Sequence, residues 1–134
     1  MKLNPQKVLH FWFTELTPKH HFAKDAALDE TIRSRFGATL EAAARCELFG
    51  WRATPEGRLA EVLVLDQFSR NVYRDTSRAF AQDALALALA QELVASGHDR
   101  SLPLAQRSFA YMPYMHSEST PEELAFLSEP GSGF

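Results

Sequence analysis

The chain has 134 residues, 46% of them apolar and 23% charged, with a formal net charge of −3. That size and balance predict one globular domain over residues 1–134, with a core large enough to fold without disulfide or metal. Lys and Arg are scattered, with no block to match a phosphate backbone, so nucleic acid is not expected as a partner.

The N-terminal run MKLNPQKVLHFWF is too short in apolar residues, and lacks the small-residue cleavage pattern, for a secretion signal. Asn4-Pro5 places a capping side chain before a proline and predicts a first helix over 5–15, in which Val8, Phe11, Trp12 and Glu15 follow the three-and-four rhythm. The adjacent His20 and His21, after Pro18, are expected in a solvated loop. Two helices follow at 25–37 and 38–49, the second closed by Gly50. The second of them contains the lone cysteine, Cys46. It can form no internal disulfide, which fits a reducing, cytoplasmic setting, and is expected to be a small buried hydrophobe.

Thr54-Pro55 repeats the capping device and opens a fourth helix over 55–72, with Leu59, Val62 and Leu63 on its apolar face. Thr76 is a candidate cap for a fifth helix at 77–96, rich in alanine and ended by Gly97. Its most apolar stretch, Ala84 to Ala95, is interrupted by Gln91 and Glu92 and is far shorter than the ~20 residues that span a bilayer, so no membrane partner is expected. Ser101 is a candidate cap for a sixth helix at 102–112. Thr120-Pro121 with Glu123 forms a capping box before a seventh at 121–128. No run alternates in the manner of a strand. The fold class is therefore all-α: about seven helices joined by short connections, hence antiparallel helical hairpins.

Chemistry concentrates in two segments. In Leu65-Asp66-Gln67-Phe68-Ser69-Arg70-Asn71, Asp66 and Arg70 stand four apart on the same face as Val62 and Leu59, which puts an ionic pair on a stripe that should be buried. A buried charge persists only when paired and hydrogen-bonded, so the pair either fixes how two helices meet or floors a ligand pocket built from Asp66, Gln67, Arg70 and Asn71. In Arg107 to Glu118, Pro113 disfavours helix at Met112, so the chain is expected to kink or restart and to present His116, Ser117 and Glu118 at a helix end. A His–Glu pair there can move a proton or simply lock the terminus. Catalytic templates are missing: there is no Gly-x-Ser-x-Gly, no phosphate-cradling glycine loop and no His-Glu-x-x-His, and no histidine has zinc-ligand spacing to a second ligand. Neither a metal nor another cofactor is expected.

Val8-Leu-His-Phe-Trp-Phe13, Leu65-Asp-Gln-Phe-Ser-Arg-Asn71 with Tyr73-Arg74, Ala79-Phe80 with Asp83, Tyr111-Met-Pro113 and His116-Ser-Glu118 together resemble the bacterial family catalogued as domain of unknown function 924, over essentially the whole chain and in order. The resemblance implies a right-handed superhelix like that of tetratricopeptide repeats, and no established activity. It also implies a departure. Ser119 to Phe134 resembles the extreme C-terminus of that family, whereas members carry a further helical stretch before it. An internal deletion near Glu118/Ser119, on the order of 50 residues if two or three helices are missing, is therefore expected. Loss of packed helices would uncover apolar surface and favour a homo-oligomer. Three readings follow. The favoured one is a domain binding a peptide or small anionic ligand, with Asp66, Gln67, Arg70, Asn71, Arg107, His116, Ser117 and Glu118 as candidate ligand-binding residues. The second is a hydrolase-like enzyme in which Arg70 or Arg107 holds an anion and His116 with Glu118 moves a proton. The third is an inactive, shortened family member.

Overall fold

A computed structural model describes residues 3–117 of the chain. Its regular elements, among those residues, are all helical: α1 (Pro5–His10) continuing as a π turn (Phe11–Glu15), α2 (Pro18–His21), α3 (Ala26–Ala44), a 3-10 turn (Phe49–Ala53), α4 (Pro55–Leu63) continuing through a second π turn (Val64–Phe68) into α5 (Ser69–Val72), a 3-10 turn (Ser77–Phe80), α6 (Asp83–Ala95), a 3-10 turn (His98–Ser101) and α7 (Leu104–His116). The all-α expectation holds. No helix among the described residues is long and apolar enough to cross a membrane. The seventh helix expected at 121–128, with its Thr120/Glu123 capping box, lies outside the described residues.

α4 is the centre of the packing. It lies against α1, α6 and α7, while the π turn that follows it, and α5, pack on α3. Leu59, Val62, Leu63, Val64, Leu65 and Phe68 are all fully buried there. Burying side chains of this size stabilises the fold by about 1.5–3 kcal/mol each. A π turn carries one more residue than an α turn, so the strip that faces the core shifts around the axis. Here it turns Asp66 and Gln67 inward together with Leu65 and Phe68. Phe11, Phe36 and Phe68 meet beside this strip, with ring centroids 5.1–6.3 Å apart, and join the two π turns to α3.

Asn4 and Thr54 cap as expected, accepting from the N–H groups of Gln6 and Gly57 at 2.8 and 3.0 Å. Thr76 and Ser101 do not cap. Thr76 donates to the Tyr73 carbonyl at 2.7 Å, and α7 starts only after Pro103. The expected fifth helix is accordingly split into the 3-10 turn and α6.

The two expected helices at 25–37 and 38–49 are one, α3, which Asp25 caps through the N–H groups of Ala27 and Leu28. Gly37 does not interrupt it. Phe36 and Leu40 are anchored in the core on either side, which outweighs the ~1 kcal/mol that a helical glycine costs.

Nor does Gly50 end α3. Cys46 does, at φ 60°, with Cys46 N–H donating to the Ala43 carbonyl and Glu47 N–H to the Ala42 carbonyl. This left-handed stop is normally occupied by glycine, and it swings the thiol into solvent, contrary to the buried position expected for it. Cys46→Gly removes the Cβ clash at that φ but loosens the unfolded chain. The net expectation is a gain of about 1 kcal/mol, read as a raised denaturation midpoint.

Pro113 likewise fails to break α7, which runs on to His116. Proline's own φ suits a helix, and its missing N–H forfeits only one bond. The burial of Phe109, Ala110, Tyr111, Pro113 and Tyr114 holds the helix together around it.

His20 and His21 form part of α2 rather than a loop. His21 stacks on Trp12, with centroids 4.5 Å apart and rings 4° from parallel, and its Nε2–H donates to the Trp12 carbonyl at 2.7 Å. Burial pushes the imidazole below its ordinary 6.5, more strongly than the bond to Trp12 raises it, and the nearby His20 adds a smaller downward push. Because the folded value lies below the unfolded one, the unfolded chain takes the proton first. His21 therefore withdraws stability as the pH falls from 6.5 through its folded pKa, and none above. Urea midpoints at about pH 7.5 and about pH 5.5 should separate less in His21→Gln than in the wild type.

Candidate functional site

The continuous run from α4 to α5 places Asp66 in the interior, where the residue is 0% exposed. A buried carboxylate needs donors, and three side chains supply them. Gln67, its chain neighbour, donates from Nε2 to Oδ2 at 2.8 Å. Arg70, one helical turn on, donates to Oδ1 at 3.2 Å and to the Asp66 carbonyl at 2.8 Å. His116, from the last turn of α7, brings Nδ1 to 2.8 Å from Oδ1. A carboxylate only accepts, so Nδ1 carries the hydrogen, and in the neutral ring Nε2 is the acceptor. His116 has no other hydrogen-bond partner among the described residues, and its side chain is 28% exposed.

Arg70 is engaged twice. Besides Asp66, its NH1 and NH2 meet Oδ1 and Oδ2 of Asp83 at 2.9 and 3.0 Å, a two-pronged pair with the first turn of α6. Its guanidinium also lies 5.3 Å from the centre of the Phe80 ring, which is 60% exposed. One network thus joins the π turn, α5, α6 and α7: His116 to Asp66, Asp66 to Arg70, Arg70 to Asp83 and Phe80.

The other candidates lie elsewhere. Asn71 points to α3, where its Nδ2 donates to Asp29 at 2.9 Å beside Arg74, whose Nε and NH2 reach the same carboxylate at 2.7 and 3.1 Å. Burial acts to raise the Asp29 pKa, but the hydrogen bonds from Arg74 and Asn71 and the charges of Arg74 and Arg33 outweigh it, and the net shift is downward. This second network ties α3 to the end of α5. Arg107 donates to the carbonyls of Leu102 and Arg100, at 3.2 and 3.4 Å, and so clamps the turn that leads into α7. Nearby, Tyr111 donates to Asp99 at 2.6 Å. Burial first, and that bond and the Asp99 charge after it, hold the phenol well above its ordinary range. Ser117 Oγ donates to the Tyr114 carbonyl at 2.9 Å and closes the end of α7. Glu118 lies outside the described residues.

Of the expected set, Asp66, Gln67, Arg70 and His116 converge, while Asn71 and Arg107 serve other contacts. Asp83 and Phe80 join the cluster without having been singled out for a site. Their distance along the chain from Arg70 carries no periodic signal, and only the resemblance had drawn them together with it. Among the described residues, no group of three or more His, Cys, Asp or Glu side chains could hold a metal. The cluster's chemistry is instead that of an oriented imidazole. Asp66 fixes its tautomer and direction, and Nε2 is left to accept a hydrogen bond or a proton.

Known proteins bear on this arrangement as follows. The profile described as "Bacterial protein of unknown function (DUF924)" matches residues 8–129. A solved structure, that of the protein of unknown function ATU0120 from Agrobacterium tumefaciens, is similar with a TM-score of 0.82 and 40% identity, covering 86% of this chain and 65% of that one. The chain thus spans about 65% of the length of that relative. No curated protein matches. A match over that much of the sequence, joined to the fold described above, means that the chain belongs to the DUF924 family of bacterial proteins of unknown function.

Proposed function

We propose that this chain is a small-ligand-binding helical domain in which His116 meets the ligand and Asp66 aims it. The observation that carries this reading is the contact of 2.8 Å between His116 Nδ1 and a carboxylate that is itself 0% exposed. The contact leaves Nε2 with no partner among the described residues.

The internal deletion inferred before Ser119 enters the same proposal. In a chain spanning 65% of the length of a 40%-identical relative, the Asp66–His116 cluster would be the half of the site that is retained. An enzymatic version uses the same atoms. His116 would take a proton at Nε2 with Asp66, rather than Glu118, stabilising the charged ring. The Asp66–His116 contact supports that pairing.

A thermal-shift screen of a metabolite library tests the binding reading. A ligand present at about a hundred times its Kd should stabilise the wild type by about 2.7 kcal/mol, or about 8 °C in Tm. The shift should vanish in His116→Ala. A ligand whose shift is the same in that variant removes His116 from the site.

A further inference from the structure

Resting on that reading, we infer that the ligand is not an anion: it presents a hydrogen-bond donor, neutral or cationic, to His116 Nε2, and an apolar ring or chain to Phe80. Charge is the first constraint on the ligand. The cationic side chain of the cluster, Arg70, is paired with both Asp66 and Asp83. With a neutral imidazole, these contacts bring two carboxylates to one guanidinium and leave an excess of negative charge. An incoming anion would meet Arg70 through N–H groups that the bonds to Asp66 and Asp83 do not use, and it would sit beside the Asp83 carboxylate, which is 27% exposed. The pair gained there is offset by that like-charge contact.

Hydrogen-bond polarity points the same way. With its hydrogen committed to Asp66 on Nδ1, the neutral ring offers only a lone pair at Nε2. Its complement is a hydroxyl, an amine, an ammonium or an amide N–H, and not a carboxylate or phosphate oxygen. The apolar part follows from Phe80. It is 60% exposed, with the Arg70 guanidinium 5.3 Å from its ring centre, and is joined to the imidazole through Arg70 and Asp66.

Three probes that share one phenyl ring separate the cases: benzylamine, benzyl alcohol and benzoate. Fragments of this size reach about millimolar affinity. The measurement is NMR of the isotopically labelled chain, following the His116 imidazole and the Phe80 ring during titration. Benzylamine, benzyl alcohol or both are expected to shift these two residues, with affinity on the order of tenfold above that of benzoate. His116→Ala should abolish the effect. In Asp83→Asn, where Arg70 loses its two-pronged partner, benzoate should gain affinity. Benzoate binding at His116 as tightly as the two donors overturns the ligand class and leaves His116 as the ligand-facing residue. No shift at His116 from any probe also overturns the class, and only the metabolite screen decides whether the binding reading falls with it.

Discussion

Arg52→Ala is expected to cost about 3 kcal/mol of folding stability, visible as a fall of about 10 °C in Tm. Its partner Glu61 lies on the inner face of α4 and is 0% exposed. Nε and NH2 of Arg52 meet Oε1 and Oε2 of Glu61 at 2.8 and 2.9 Å, and no other side chain among the described residues donates to that carboxylate. Truncating Arg52 leaves a charge in the interior without compensation, which is the circumstance in which breaking a buried pair is most damaging, at about 3–5 kcal/mol. The lower end applies because Arg52 is itself 26% exposed and water can partly take its place. The pair exists because the 3-10 turn at Phe49–Ala53 lies tightly on α4. Gly57 permits the approach, since a Cβ there would collide with the Trp51 carbonyl oxygen. Urea denaturation of Arg52→Ala and of the double variant Arg52→Met with Glu61→Leu separates the causes. The double variant should recover most of the loss, because an apolar pair has no desolvation to compensate. A loss under about 1 kcal/mol in Arg52→Ala would mean the pair is exchanging with water as surface pairs do.

Asp66→Ala is expected to be of similar size, about 3–5 kcal/mol, and its pattern across variants is more informative than its magnitude. The substitution leaves the Gln67 amide, which is only 6% exposed, and His116 Nδ1–H without their acceptor, while Arg70 keeps Asp83. Asp66→Asn retains one acceptor oxygen but sets an NH2 group against donors, so an intermediate loss of about 1–3 kcal/mol is expected. His116→Ala should cost under about 1 kcal/mol, because Asp66 still accepts from Arg70 and Gln67 and the imidazole is partly solvated. This asymmetry bears on function. If His116 existed to stabilise the fold, its removal would approach the cost of losing Asp66. If it exists to meet a ligand, stability survives and binding does not. Denaturation midpoints of the three variants, with the nitrogen shifts of the His116 ring as a check on its tautomer, give the comparison.

Much of the helical layout was legible in short-range signals. Asn4-Pro5 and Thr54-Pro55 cap where the sequence places them, and Gly97, at φ 78°, closes α6. These are interactions within four residues, which the chain carries wherever it goes. Two of the failures share one cause. Gly37 and Pro113 are punctuation by local propensity, yet the core residues flanking each of them hold α3 and α7 intact. Cys46 is apolar by composition but sits at a helix stop whose geometry turns it outward. Local preferences of about 1 kcal/mol yield to packing that is worth more.

For the site, the sequence by itself determined that Asp66 and Arg70 would share one inward face, because four residues along a helix are neighbours whatever surrounds them. It also determined which residue types stand ready for chemistry. Only the tertiary structure decided their partners. Asp66 meets His116 across fifty residues of chain, Arg70 meets Asp83 across thirteen, and Asn71 turns to Asp29 across forty-two. Those pairings follow from how α3, α6 and α7 pack around the buried strip from α4 to α5, and from the π turn that aims Asp66. A side chain's distant partner is selected by burial summed over many apolar contacts, and no local run of residues encodes that sum.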